Sequence, residues 1–323
     1  MNHSKRFLAS LSDLAVIEVA GADAVDFLHG QLTHDVKGLE PGRARLAGYC
    51  TAKGRLLGSM VIWRQSGQQE PAVMMLLKAD IAESLVKRLS MFVLRAKAKL
   101  RLADCRVLGL ALGDGPGLPD SDPAVALPAA PESASPWAVT DDAAGTWIAA
   151  PSGLADIQRW WLIAGQPGTE TDSMQGNAAL WRAQDIQAGL PWIQAATQDL
   201  FIPQTLNLDL IDAVSFTKGC YPGQEVVARS HYRGTVKRRM AAGLITASEN
   251  VDAEALAATD TFDARQPDNP CGRIVNAARD QGGIRILMEV QLADLGSADF
   301  RLGQADGPAI QLQPLPYGIE SQA

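Results

Sequence analysis

KGCYPGQEVVAR, residues 218–229, contains one of the four cysteines in a chain of 323 residues. Two glycines, Gly219 and Gly223, flank the thiol of Cys220, and glycine lets a backbone adopt positive φ or approach a ligand closely. The apolar run AVSF at 213–216 predicts a short strand, and EVVAR after the second glycine predicts the start of a helix. We therefore expect the cysteine on a strand-to-helix connection.

This setting of Cys220 has two interpretations. A helix N-terminus and a neighbouring cation both stabilise a thiolate. Lys218 and a folded-back Arg229 therefore favour a reactive or ligand-facing thiol at Cys220. Gln224 and Glu225 would then shape the loop around it. Free cysteines are more often buried and inert, which makes a small packed residue in a tight turn the alternative. The spacing fits neither a Walker loop nor a GxGxxG loop, which argues against a phosphate site.

A basic stretch follows the cysteine. RSHYRGTVKRR (229–239) has no acidic residue and five cationic ones, namely Arg229, Arg233, Lys237, Arg238 and Arg239. Such a stretch forms a solvated strand or domain junction, or it holds a carboxylate-rich ligand tail or an RNA backbone.

The composition narrows the class of protein. A hydrophobic content of 47% with 20% charged residues fits a globular protein, and no apolar run predicts a membrane span. A net charge of −7 argues against a surface built for nucleic acid, so direct nucleic-acid binding is not expected. The cysteines are scattered and neither they nor the histidines have ligand spacing, which predicts free thiols, no metal site and a cytoplasmic location.

The first part of the chain alternates strands and helices. We predict a strand at 14–21, a helix at 23–33 capped by Asp23, two strands within 43–63 joined at Lys53-Gly54, a strand at 72–78, a helix at 80–93 with Phe92 on its apolar face, and a strand at 97–105. This order is typical of ferredoxin-like α+β organisation.

A second unit of the same kind begins at 107–112. A proline-rich loop interrupts it at 113–137, after which strands at 145–151 and 159–165 and a helix at 177–191 are expected. From residue 240 short strands alternate with turn residues, and 272–292 predicts a hairpin about residues 280–283. We predict two interleaved α+β units in 1–236 and an antiparallel β-barrel in 237–323.

Five segments together resemble the YgfZ-type folate-binding proteins, relatives of the aminomethyltransferase (T-protein) of the glycine cleavage system. They are GADAVDFLHGQLTHDV (21–36), LWRAQDIQAGLPWI (180–193), FIPQTLNLDLIDAVSF (201–216), KGCYPGQEVVAR (218–229) and PLPYGIE (314–320). The fourth segment is similar to a long and specific family signature, K-G-C-[FY]-x-G-Q-E.

The resemblance implies a three-domain ring of two interleaved ferredoxin-like units and a C-terminal barrel, with tetrahydrofolate in the central hole. The implied function is support for the assembly or repair of iron–sulfur enzymes, including radical enzymes that modify tRNA, in the bacterial cytoplasm. The implied partners are folate and these client enzymes.

The resemblance also implies roles for single residues. Cys220 is the functional thiol and Lys218 its neighbour, while Gln224, Glu225 and Arg229 belong to the folate-binding loop. Trp181 matches a tryptophan that stacks on folate, with core packing as its alternative role. Gln187 stands where relatives have a glutamate that binds a pterin, and a second folate tryptophan falls at Leu14.

Residues 58–59 bear on the alternative function, an aminomethyltransferase acting with tetrahydrofolate. The aminomethyltransferases have acidic residues at this place, one of them catalytic, whereas this chain has Gly58 and Ser59. Without a carboxylate the obvious agent of proton transfer at the folate nitrogen is missing. We therefore expect an accessory protein rather than an aminomethyltransferase, and a folate-sensing module without chemistry is a third alternative.

Overall fold

The computed structural model describes residues 5–65, 67, 70–114, 118–119, 128–131, 135–165, 177–232, 236–246 and 251–319. It is a mixed α+β structure with three antiparallel sheets. Much of the proline-rich segment 113–137 and the middle of the basic stretch, including Arg233, lie outside the described residues, so the expectations for them stay predictions.

The described strands are β1 (Lys5–Ser10), β2 (Leu14–Ala20), β3 (Ala44–Cys50), β4 (Leu56–Arg64), β5 (Ala72–Lys78), β6 (Lys99–Leu102), β7 (Cys105–Gly113), β8 (Val139–Asp142), β9 (Gly145–Ala150), β10 (Ile157–Gly165), β11 (Arg238–Ile245), β12 (Asp260–Asp263), β13 (Gln266–Asp280), β14 (Gly283–Gln291), β15 (Phe300–Leu302) and β16 (Gln311–Gln313). The described helices are α1 (Ala24–His29), α2 (Ala79–Ser90), α3 (Ala178–Gln187) and α4 (Gln224–Tyr232), with 3₁₀ turns at Ala195–Thr197, Pro203–Leu206, Glu254–Leu256 and Leu292–Asp294.

The two N-terminal sheets interleave along the chain. One has the strand order β3-β4-β5-β2-β6 and the other β1-β7-β10-β9-β8, so the first strand of the chain belongs to the later sheet. Strand β1 reaches that sheet by pairing with β7 across about a hundred residues of sequence. The interleaving of the two sheets is present, while their division into two ferredoxin-like α+β units and a ring arrangement stay predictions.

Apolar periodicity explains most of these elements. Strand β5 (AVMMLLK) is buried along its whole length, and α2 buries one face through Ile81, Leu85 and Leu89. Helix α2 ends at Ser90, however, and the prediction that Phe92 continues its buried face is wrong, because that side chain is 47% exposed.

Two other local predictions are also wrong. The carboxylate of Asp23 does not cap α1; its Oδ2 accepts a hydrogen bond from the backbone N–H of Lys97 at 2.7 Å. Residues 213–216 do not form a strand, although Ala213 is buried and the N–H of Ser215 donates to the carbonyl of Thr33. An apolar run without a neighbouring strand packs as a loop, since no ladder can form on it.

The C-terminal sheet has the order β15-β12-β13-β14-β11-β16 and curls into half a barrel. The predicted hairpin is confirmed, because β13 and β14 pair up to Asp280 and Gly283. No ladder joins the strands β15 and β16 themselves within the described residues, but residues 308–310, directly before β16, bond to β15: the N–H of Ile310 donates to the carbonyl of Phe300, and the N–H of Leu302 donates to that of Pro308. A complete barrel stays a prediction. A domain boundary at 236/237 stays a prediction.

Candidate functional site

Lys218 anchors the signature-like loop to the end of α1. Its Nζ donates to the carbonyl of His29 at 2.5 Å and to that of Leu32 at 3.0 Å, and it lies 4.6 Å from the ring centre of Tyr221. The last carbonyls of a helix have no partner within the helix, so a lysine satisfies them. Burial lowers the pKa of Lys218 to about 8, against the attraction of Asp35 and Cys220.

Gly223 has the conformation that the sequence suggested. Its φ is +81°, and a Cβ at this position would lie 2.4 Å from the carbonyl oxygen of Thr51 and 2.6 Å from the Cα of Gly54. Gly54 itself has a φ of +74°, so the predicted turn at residues 53–54 packs directly against the signature loop. At Gly219, in contrast, a Cβ would meet only the His29 ring, at 3.8 Å.

Cys220 is exposed, while the other three cysteines are buried or half-buried. Burial raises the pKa of the Cys50 thiol to about 12, and it also raises the pKa of Cys105 and of Cys271. The loop thus presents one thiol to solvent in a protein whose remaining thiols are held neutral.

The predicted helix after Gly223 is α4, and its exposed face carries two of the predicted site residues. Arg229 donates to Glu225 at 2.7 Å, an i,i+4 pair in which both side chains are mostly exposed. With Ala228 and Tyr232 they line a shallow groove of about 300 Å³. Arg229 thus pairs with a carboxylate one turn away on its own helix, and Gln224 is half-buried in the first turn.

The basic stretch is largely neutralised where the structure describes it. Arg238 pairs with Glu289 at 2.7 Å, and Arg239 forms a bidentate pair with Asp209 at 2.6 and 3.1 Å. Each described arginine of 229–239 thus has a carboxylate partner, whereas Lys237 is exposed and has no ion pair among the described residues. Binding of a carboxylate-rich ligand tail by this stretch stays a prediction.

Trp181 is fully buried on α3. The guanidinium of Arg159 lies 4.2 Å from the centre of its ring, and the ring of Trp161 meets it edge-on with 6.1 Å between the ring centres. Gly109, which has no side chain, leaves room for the indole. These neighbours correspond to the core-packing interpretation, and a folate contact stays a prediction.

Gln187 is half-buried and faces a separate cleft of about 160 Å³. With its amide oxygen oriented towards Arg285, it accepts from all three guanidinium nitrogens at 3.0 to 3.2 Å. Arg285 also pairs with Asp280. Gln187 and Trp181 thus lie on one helix but in different environments.

A larger cavity of about 510 Å³ lies between the first sheet with α2, helix α3 with the loop after it, and the C-terminal sheet. Its lining combines Asp13, Lys78, Ala79 and Asp80 from the first sheet and α2, Arg182, Asp185, Ile186, Leu190, Trp192, Gln194, Ala195 and Ala196 from α3 and the loop after it, and Glu254, Asn276 and Ala277 from the C-terminal part. None of the residues predicted for the site is in this lining. Two sequence signals lay close to it: Leu14, which directly follows Asp13, and the family-like segment 180–193, which contains Arg182, Asp185 and Trp192.

Paired charges surround this cavity. Asp13 accepts from Lys78 at 2.5 Å and lies 3.5 Å from Arg182, which also pairs with Glu254. Burial raises the pKa of Asp13, but the two cations outweigh it and hold this pKa below its ordinary value.

A buried ion pair positions the aromatic wall of the cavity. Asp185 pairs with the fully buried Arg159, and its Oδ2 accepts from the indole N–H of Trp192 at 3.0 Å. Burial raises the pKa of Asp185, against the attraction of Arg159. The side chain of Asn276 bonds both backbone groups of Trp192 at 2.8 Å, which fastens this wall to β13.

The structure contains neither a spanning helix nor a metal cluster among the residues it describes: no described helix is long and apolar enough to cross a membrane, and no group of three or more His, Cys, Asp or Glu side chains is arranged to hold a metal ion.

The fold is similar to that of the glycine cleavage aminomethyltransferase T of Bartonella henselae, with a TM-score of 0.69 and 16% identity over 98% of this chain and 87% of that one. This likeness defines the class as the aminomethyltransferase T fold. The chain is 30% identical to the tRNA-modifying protein YgfZ of Sodalis glossinidius over 98% of its own length and 95% of the relative's. It therefore belongs to the YgfZ family.

Two further relatives match most of the chain. The tRNA-modifying protein YgfZ of Klebsiella pneumoniae is 28% identical over 97% of this chain and 93% of the relative. An uncharacterized protein of Haemophilus influenzae is 34% identical over 72% of this chain and 71% of its own length. No family model matches the chain.

Proposed function

We propose that this protein is a tetrahydrofolate-binding accessory protein that supports the assembly or repair of iron–sulfur enzymes, including enzymes that modify tRNA. The names of its YgfZ relatives support the link to tRNA modification. The observation that carries the folate part is the cavity of about 510 Å³ between the first sheet, α3 and the C-terminal sheet.

The size of the cavity and its apolar wall support a folate ligand. Ligand sites of this class are clefts of about 300–1,000 Å³ with apolar walls and a few placed polar groups. Trp192, Ile186 and Leu190 offer an apolar wall to a flat heterocycle. Arg182 and Lys78, which share Asp13 as an ion-pair partner, are the cationic donors that the lining has for the carboxylates of a glutamate tail.

Cys220 is the residue through which such a protein would act on a client. Its thiol is exposed on a loop whose geometry is fixed by Lys218 and Gly223, and it does not line the cavity. A folate in the cavity and a client at the thiol can therefore be present at the same time.

The alternative, aminomethyl transfer, has no support at residues 58–59. The hydroxyl of Ser59 donates to the carbonyl of Pro191 at 3.0 Å and accepts from the N–H of Ile193 at 2.9 Å. This buried hydroxyl fastens the loop after α3 to β4, and neither it nor Gly58 supplies the carboxylate that proton transfer needs.

Tetrahydrofolate titration with calorimetric detection tests the folate site. Arg182→Ala is expected to weaken binding about tenfold or more, because a charge-assisted hydrogen bond contributes about 1.5–3 kcal/mol. Arg285→Ala, in the separate cleft beside Gln187, is the matched control and should bind as the wild type does. Loss of binding in the control alone would place the folate site in that cleft instead. If the wild type does not bind tetrahydrofolate, the folate proposal is refuted.

The accessory role is tested in cells that lack their own YgfZ-family gene. The wild-type chain should restore the level of a tRNA modification made by an iron–sulfur enzyme, and Cys220→Ser should not. Equal restoration by both would show that the exposed thiol is dispensable.

A further inference from the structure

The segment directly after α2 and the strand β6 carry a group of exposed apolar side chains. Met91 is 65% exposed, Phe92 47%, Leu94 86% and Leu102 39%. Large apolar side chains close together at a surface mark interaction sites more often than isolated ones do. With Arg95, Lys97 and Lys99 they form what we call the β6 edge surface.

This surface carries an excess of positive charge. Residues 84–103 contain six cations and no acid, in a chain whose net charge is −7. Two of the six, Lys87 and Arg101, pair with Glu83 and Glu18. Arg95, Lys97 and Lys99 are exposed and, among the described residues, have no ion pair.

Few acidic groups approach these three cations. The carboxylate of Asp23 is bound to the backbone N–H of Lys97, and Asp104 follows the strand in sequence. The uncompensated positive charge therefore favours an acidic occupant.

The backbone of β6 is also unpaired on one side. Strand β6 is the last strand of its sheet and pairs only with β2. In the described part of the chain, no backbone hydrogen bond links residues 99–102 to any other segment. An edge strand of this kind can accept an additional strand from another chain.

We propose that the β6 edge surface docks an extended, acidic segment of a partner protein, which adds to β6 as a strand and covers Met91, Phe92 and Leu94. The open backbone edge favours a peptide over a lipid surface or an RNA, because only a peptide offers matching N–H and C=O groups. This inference goes beyond the proposed folate function and does not depend on it.

Fluorescence anisotropy with a labelled peptide that alternates valine and aspartate tests the proposal on the full chain. The wild type should bind this peptide, and Leu94→Glu and Lys99→Glu should each weaken binding about tenfold or more, because one removes an apolar anchor and the other reverses a charge. Leu94 is so exposed that its substitution leaves the fold intact. The matched control is Leu312→Glu, on the edge strand β16, where the leucine is 38% exposed.

Two further measurements separate strand addition from simple charge attraction. A peptide with the same charge and with proline in place of valine should not bind, since proline cannot donate to a ladder. Hydrogen exchange of the amides of residues 99–102 should slow when the valine peptide is present.

Four outcomes would overturn the proposal. They are no binding of the valine peptide by wild type, equal binding of the proline peptide, equal binding by Leu94→Glu, and selective binding of phosphatidylglycerol vesicles or transfer RNA that Leu94→Glu abolishes. A dimer in light scattering that Leu94→Glu dissociates would instead identify a second copy of the chain as the occupant.

Discussion

Lys218 connects the signature loop to the first helix through a half-buried ammonium group. The two carbonyls that it binds belong to the end of α1 and the turn after it, so the conformation of the loop depends on a charge partly removed from water. Such a group costs free energy on burial and recovers it only through its hydrogen bonds. The loop is therefore sensitive to pH and to small changes in side-chain chemistry.

The protonation of Lys218 should be visible in the pH dependence of stability. Its pKa is about 8 when folded and near 10.5 when unfolded, so between these values the unfolded chain binds more protons. The free energy of unfolding should then rise with pH across this window relative to Lys218→Met. Urea unfolding at pH 7 to 10.5 measures the difference, and Lys87→Met, at an exposed lysine, should show no such trend.

Gly223 should tolerate no side chain. Gly223→Ala places a Cβ against the backbone of the turn at residues 53–54 and forces a left-handed conformation, for a cost of about 1–3 kcal/mol or more. Gly219→Ala is the matched control, because its new methyl group meets only a side chain at contact distance. Equal free energies of unfolding for the two variants would show that the turns do not pack as described.

Cys220 should be the fastest of the four cysteines to react with iodoacetamide at neutral pH. It is exposed, whereas burial raises the pKa of Cys50, Cys105 and Cys271 and so keeps them as thiols. Site-resolved mass spectrometry of the native protein measures the rates, with Cys220→Ser as the control. If Cys220 is labelled no faster than the other three, the loop is important for its backbone or for Lys218 instead.

At the scale of elements, helix α3 places its side chains in three different environments. Trp181 is enclosed in the core, Arg182 and Asp185 face the large cavity, and Gln187 faces the smaller cleft. Sequence periodicity predicted this helix, but it could not assign the faces. That assignment depends on which sheet packs on each side, and the cavity residues are charged side chains that look like a solvated helix surface.

Trp181→Phe should lower stability and leave tetrahydrofolate affinity unchanged. The substitution removes part of a fully buried indole between Arg159 and Trp161, which costs about 1–3 kcal/mol through lost packing. Thermal unfolding and tetrahydrofolate titration of the same samples separate the two effects. A weaker affinity at unchanged stability would establish Trp181 as a folate contact.

At the scale of the whole molecule, long-range pairings determine where the site lies. Strands and hairpins that depend on nearby residues, such as β5 and the turn at 280–283, were predictable from the sequence. The pairing of β1 with β7, and the meeting of the first sheet, α3 and the C-terminal sheet at the cavity, connect residues far apart in sequence. Local hydrophobic patterns contain no information on such contacts, and only the family resemblance pointed to the interleaving.

The contact between the C-terminal sheet and α3 should link stability to folate binding. Asn276 forms two buried hydrogen bonds of 2.8 Å with the backbone of Trp192, and both residues line the large cavity. Asn276→Ala leaves a buried N–H and a buried C=O without partners, at a cost of about 1–3 kcal/mol for each group that water does not reach. The wall that contains Trp192 then loses its fixed position.

Asn276→Ala should therefore both destabilise the protein and weaken tetrahydrofolate binding, as measured by urea unfolding and calorimetric titration. Asn177→Ala is the matched control, because that side chain makes one hydrogen bond, to the carbonyl of Leu8 at 3.1 Å, and does not line the cavity. It should lower stability by less and leave the affinity unchanged. A destabilised Asn276→Ala variant with full affinity would mean that folate binds without the Trp192 wall, and hence outside this cavity.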